Sequence, residues 1–209
     1  MADREEVVFV VDDDDAVRKG LARLLRSVGH TPVTFASAAE FLSRENYGGI
    51  GCIVLDVRMP GLNGMELQTE LAARDIDLPI VFLTGHGDIP MSVQAMKQGA
   101  VDFLTKPVDE RVLLDSVQQA LRRHKSRRAE RQEAEAVQAR LQMLTSRELE
   151  VLRCVIAGAR NKRIAAHLGI AEQTVKIHRA RVMAKLGLHT WPELFQACQR
   201  AGIEPSPDL

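Results

Sequence analysis

Five times between residues 7 and 104 a short apolar run gives way, within a few residues, to a segment whose apolar positions recur at helical spacing. The runs cover 7–11, 32–35, 52–55, 79–83 and 101–104. The first is followed by Val17, Leu21, Leu24, Leu25 and Val28, and the third by Met65, Leu67, Leu71 and Ala72. Runs without polar alternation suit strands buried on both faces, and parallel strands need helical crossovers that cover both faces. A doubly wound, five-stranded parallel α/β sheet is therefore expected over the first 121 residues. No Gly-x-Gly-x-x-Gly follows the first run, which removes the main support for a dinucleotide site.

Open α/β sheets place their chemistry at the carboxyl ends of the strands. Here those ends carry Asp12 and Asp13, Asp56, Thr84 and Lys106. Taken singly, the acids read as turn residues, Thr84 as a strand-end hydroxyl and Lys106 as a solvated cation. Taken together, they would converge on one crevice. Clustered carboxylates repel unless a cation joins them, and hard oxygen donors with room for water suit Mg²⁺. A phosphoryl group on Asp56 would then be shared among the metal, the Lys106 ammonium and the Thr84 hydroxyl, which describes phosphoryl transfer to an aspartate nucleophile.

The 209-residue chain is formally neutral, but the charge is divided unevenly. Residues 1–121 hold 11 Lys/Arg against 19 Asp/Glu, a net of −8, and residues 122–209 hold 17 against 9, a net of +8. The basic half invites a nucleic-acid role. Residues 122–143 read as an exposed helical linker rich in arginine, continuous with the fifth helix of the first domain. From Thr145, which forms a capping box with Glu148, four helices follow over residues 144–209, and the tail at 204–209 is expected to be disordered. The second and third, at 161–168 and 173–186, meet through Gly169 at helix-turn-helix spacing. Ile164, Ala165, Leu168, Val175 and Val182 are expected inside. Gln173, Thr174, Lys176, His178, Arg179, Arg181 and Lys185 are expected on an outward arc able to enter a major groove. Cys52, Cys154 and Cys198 lie apart in apolar contexts and read as reduced core residues. The charged start and the lack of any long apolar run point to a cytoplasmic protein with no membrane partner.

Residues 7–121 resemble the receiver domain of bacterial response regulators, through Val-Val-Asp-Asp-Asp, Leu-Asp-Val-Arg-Met-Pro-Gly, Leu-Thr-Gly-His-Gly and Leu-Thr-Lys-Pro. The Gly-His-Gly-Asp-Ile-Pro-Met run narrows the likeness to the FixJ branch. The resemblance implies the flavodoxin-like strand order 2-1-3-4-5, Asp56 as phosphoacceptor, and Mg²⁺ held by Asp12, Asp13, Asp56 and the backbone carbonyl of Arg58. It implies Thr84 and Phe103 as switch residues, Lys106 as phosphate partner and a cis Lys106-Pro107 bond; His86 reads as a solvated loop residue. Residues 141–201 resemble a LuxR-type output domain, through Leu-Thr-Ser-Arg-Glu, Asn161-Lys162, Thr174-Val175-Lys176, His178 and Ala184-Lys185-Leu186-Gly187. Arg160, Arg163 and Arg181 depart from that pattern and add positive charge. The implied partners are a sensor histidine kinase, double-stranded promoter DNA, RNA polymerase and, on phosphorylation, a second copy of the chain. Aspartate-nucleophile phosphohydrolases share the strand end but carry an acid two residues after the nucleophile, where this chain has Arg58. An adaptor whose helical half binds protein is the other alternative.

Overall fold

The computed structural model describes residues 6–44, 47–85 and 89–207. The expectation for His86 falls outside the described residues, as does the end of the tail at Asp208 and Leu209. The chain forms two compact units, Met1–Arg128 and Ala129–Leu209.

In the first unit β1 (Glu6–Val11), β2 (Thr31–Phe35), β3 (Ile50–Leu55), β4 (Ile80–Thr84) and β5 (Asp102–Thr105) alternate with α1 (Asp15–Ser27), α2 (Ala38–Leu42), α3 (Gly64–Ala73), α4 (Ile89–Lys97) and the start of α5 (Glu110–Leu141). Every pairing is parallel and the order is β2-β1-β3-β4-β5. The two-residue period of a strand sends alternate side chains to opposite layers. Phe9, Val11, Ile53, Leu55 and Phe82 pack with Phe41, Leu67 and Leu71 on one face. Val8, Val10, Cys52, Val54, Val81 and Leu83 pack with Leu21, Leu25, Leu113 and Val117 on the other. Both faces are covered, which is why the strand sequences show no polar alternation.

The helix starts follow from local hydrogen bonding. The Asp14 carboxylate accepts from the N–H groups of Ala16 and Val17 at the head of α1, and Asn63 and Glu66 form a reciprocal capping box on α3. At α2 only half of a capping box forms. Ser37 accepts from the Glu40 N–H, but the Glu40 carboxylate takes the N–H of Ala36 at 2.6 Å.

The α5 helix runs unbroken past residue 121, where the receiver was expected to end, and its side chains stay tied to β3 and to the loops before β3 and β4 as far as Arg128. Those ties are polar. A reading based on apolar periodicity therefore stops short of them.

The second unit contains the end of α5 with α6 (Ser146–Ile156), α7 (Asn161–Leu168), α8 (Glu172–Leu186) and α9 (Trp191–Arg200). Leu141, Val151, Leu152, Ile164, Val175, Val182, Leu186 and Leu194 form its core. Gly169 and Gly187 close α7 and α8 in the left-handed conformation, at φ of 65° and 67°, where a β-carbon would be strained. The expected disorder of the tail does not hold for residues 204–207: the Ser206 N–H donates to the Arg153 carbonyl at 3.1 Å, anchoring the segment on α6. Cys52, Cys154 and Cys198 are buried free thiols. Among the described residues no helix is long and apolar enough to cross a membrane.

Candidate functional site

Because β1 sits between β2 and β3, chain connections diverge on either side of it and leave a crevice at the carboxyl ends of β1 and β3. Asp12 and Asp56 fall there, 2% and 6% exposed. The Lys106 ammonium bridges them, donating to Asp12 Oδ2 at 2.6 Å and to Asp56 Oδ1 at 3.0 Å. The second Asp56 oxygen accepts from the Arg58 N–H at 2.8 Å, and the second Asp12 oxygen from the Asp14 N–H at 2.9 Å. Thr84 is fully buried at the end of β4, and the Lys106-Pro107 peptide is cis. Asp13 is exposed beside the crevice.

Burial raises the Asp56 carboxyl above its usual range more than the Lys106 ammonium lowers it, and the nearby Asp12 adds to the rise. Burial would lower Lys106, but its hydrogen bonds to Asp12 and Asp56 overcome that and hold the ammonium above its usual value. The two directions pull apart over whether the pair is charged. The 3.0 Å separation, with two acceptors on one ammonium, favours the ion pair.

In the second unit α8 exposes Gln173, Lys176, Ile177, Ala180 and Arg181, with Thr174 half-buried. The expected outward arc loses two members. The Lys185 ammonium turns inward to the Glu148 carboxylate at 2.7 Å and the Met143 carbonyl at 3.1 Å. Arg179 donates to the Asn161 side chain and stacks over the Trp191 ring, 4.1 Å from its centroid. A solvated position on the helix wheel was assigned from spacing alone, and acceptors on α6 and α7 recruit both cations instead. His178 is half-buried, and its Nδ1 is covered with no hydrogen-bond partner among the described residues.

The family model for the response regulator receiver domain matches residues 8–118, and that for bacterial regulatory proteins of the luxR family matches residues 142–197. The chain is a two-component response regulator. It is 46% identical over 202 residues to nodulation protein W of Bradyrhizobium diazoefficiens, covering 97% of this chain and 89% of that one. It is 44% identical to the transcriptional regulatory protein FixJ of Azorhizobium caulinodans, covering 96% and 95%. Among solved structures it resembles the response regulator StyR, with a TM-score of 0.83, 47% identity and 94% and 99% coverage. It also resembles full-length FixJ from B. japonicum, with a TM-score of 0.57, 40% identity and 94% and 97% coverage.

The response regulator thus joins a receiver to a LuxR-type DNA-binding domain, and its family consists of transcription regulators, not classical enzymes. Receivers usually bind Mg²⁺ at the acidic site, and the residues here fit that ion in kind. Every candidate donor is a hard oxygen, and the single Lys106 charge balances only one of the two buried carboxylates.

Three residues near these sites, Arg18, Gly64 and Ile177, escaped the sequence reading, and a fourth, Glu148, was read only as a cap. Arg18 holds the β1–α1 loop by donating to the Asp12 carbonyl at 2.7 Å. Gly64 packs so closely that a β-carbon would stand 2.3 Å from the Asp56 carbonyl oxygen. Glu148, read as a cap, is also the buried partner of Lys185. Ile177 is 44% exposed on α8, an apolar side chain outside the inward stripe, and that mismatch was its available signal.

Proposed function

We propose that Asp56 accepts a phosphoryl group from a sensor histidine kinase, and that the phosphorylated protein dimerises and controls transcription by binding promoter DNA. The observation that carries this is the Lys106 bridge: one ammonium spans the two buried carboxylates at the strand ends, so a phosphoryl group arriving on Asp56 meets a cation already in hydrogen-bonding range. Asp56 supplies the attacking oxygen, and the Arg58 N–H orients its carboxylate. Thr84 and Lys106 then donate to phosphoryl oxygens, and Phe103, half-buried with its ring 5.7 Å from that of Phe82, repacks as Thr84 moves. Mg²⁺, held by Asp12, Asp13, Asp56 and the Arg58 carbonyl, would neutralise charge on the phosphoryl oxygens. Small phosphodonors serve in place of the kinase, and slow hydrolysis resets the site in the cytoplasm.

Support for the dimer comes from Ile89, Val93 and Met96 on α4 and Val112 on α5, apolar side chains between 46% and 79% exposed. A dimer sets two α8 helices on paired half-sites, with Thr174, Lys176, His178 and Arg181 toward the DNA, and recruits RNA polymerase. Labelling by acetyl phosphate, with sedimentation and DNA titration, tests the reading. Asp56→Asn takes no label, and phosphorylated wild type doubles in mass and binds promoter DNA more tightly. Undiminished Mg²⁺-dependent labelling of Asp56→Asn would overturn the phosphoacceptor. An unchanged mass and DNA affinity after full labelling would overturn the coupling.

A further inference from the structure

The segment of α5 between residues 122 and 128 is fastened to the receiver by three side chains. The His124 ring is 7% exposed, and its Nδ1 accepts from the Gly51 N–H of β3 at 2.9 Å. Arg128 donates to the Gly49 carbonyl just before β3 at 2.7 Å. Arg127 pairs with Asp77, just before β4, at 2.8 Å. Gly51 is itself held close to its neighbours in the sheet, since a β-carbon there would stand 2.8 Å from the Val7 carbonyl oxygen. Its N–H is buried, so losing the acceptor leaves a polar group without water or partner.

Of the three ties, only the first depends on a protonation state near neutrality. An imidazole nitrogen accepts a hydrogen bond only when it carries no proton, and in imidazolium both nitrogens donate. A proton on Nδ1 would point at the Gly51 N–H, replacing attraction with repulsion. We infer that His124, Arg127 and Arg128 form a proton-sensitive clamp on the end of the receiver's last helix, and that protonation of His124 releases it.

The surrounding charges act on the ring in both directions. From the loop before β4, Asp77 favours the charged ring. Arg127 and Arg128 on α5 itself oppose it, and β3 contributes only the Gly51 N–H. Glu6 of neighbouring β1 faces His30 at 4.0 Å and plays no part. Burial, the largest influence, holds the ring below the usual 6.5 and so keeps it neutral and clamped. The sign follows by linkage. The released state binds protons at about the ordinary imidazole value while the clamped state resists them, so the clamp is at full strength above about 6.5 and weakens as pH falls below it. Acidification is then a second input to the linker helix, separate from chemistry at Asp56.

Hydrogen exchange on the full-length protein at pH 7.5 and 5.5, expressed as protection factors, tests this. With an ordinary released-state imidazole, protection at Gly51 and at 122–128 in the wild type falls up to about tenfold between the two pH values. Protection at the centre of β3 stays level. In His124→Gln, whose amide oxygen accepts from the Gly51 N–H without titrating, protection is the same at both. Constant wild-type protection, an equal fall in His124→Gln, or an equal fall throughout β3 would each overturn the clamp. Nitrogen chemical shifts of His124 in the wild type give a reading independent of any variant. An unprotonated Nδ1 at pH 7.5 supports the clamp, and a protonated one refutes it.

Discussion

The Glu148–Lys185 pair decides whether Lys185 belongs to the DNA or to the fold. Glu148 is 3% exposed, accepts the Thr145 N–H at 2.8 Å and the Lys185 ammonium at 2.7 Å, and its carboxyl is pulled from the usual 4.5 to about 2, first by Lys185 and then by the capping N–H. That displacement corresponds to a ceiling of about 3 kcal/mol. The Lys185 side chain is 34% exposed, so solvent screening reduces the contribution to about 1–2 kcal/mol. Because the folded-state value is depressed, this stability is present above pH 4.5 and is lost as pH falls through about 2. Glu148→Gln keeps a capping acceptor and removes only the charge, and Lys185→Met removes the cation and keeps the stem. Urea unfolding of the full-length protein is read by the fluorescence of Trp191, the chain's single tryptophan, which lies in the same unit on α9. Each variant should lose about 1–2 kcal/mol at pH 7, and Glu148→Gln should show a flatter loss of stability below pH 4.5. The salt dependence of DNA binding should be unchanged in Lys185→Met. Undiminished stability together with a salt slope smaller by about one would refute the reasoning and return Lys185 to the DNA surface.

Replacing exposed Lys176 or Arg181 by alanine should reduce the magnitude of the salt slope by about 0.9 for each DNA phosphate that the missing cation no longer neutralises, with Trp191-detected stability unchanged; DNA titrations from 50 to 200 mM salt measure it. Gly64→Ala must displace backbone, since the new β-carbon meets the Asp56 carbonyl at 2.3 Å and Val57 Cα at 3.0 Å. It should cost the receiver about 1–3 kcal/mol by circular dichroism and slow acetyl phosphate labelling about ten- to hundredfold, and a wild-type labelling rate would contradict the close packing.

The sheet, its helices and the split into two units were legible because burial on both faces leaves a contiguous apolar signature, read directly from runs such as 52–55 and 79–83. Asp12, Asp56 and Lys106 were legible as a set because a parallel sheet brings all strand ends to one edge whatever the sequence distance between them. Strand order came from the resemblance, since apolar runs do not say which neighbours pair. What spacing does not encode is which charged side chains fold back. Lys176 and Lys185 look alike on the helix wheel of α8, yet Lys185 lies within reach of a buried carboxylate on α6 and Lys176 does not. The helix itself was expected to continue past residue 121, but the same limit hid its bonds to the receiver. His124, Arg127 and Arg128 sit in a stretch that reads as a solvated basic linker, and they hold the receiver through polar bonds to residues roughly 50 to 80 positions away. Apolar burial is specified locally by residue type and period. A polar interaction depends on where a distant partner's donor or acceptor ends up, and only the tertiary structure decides that.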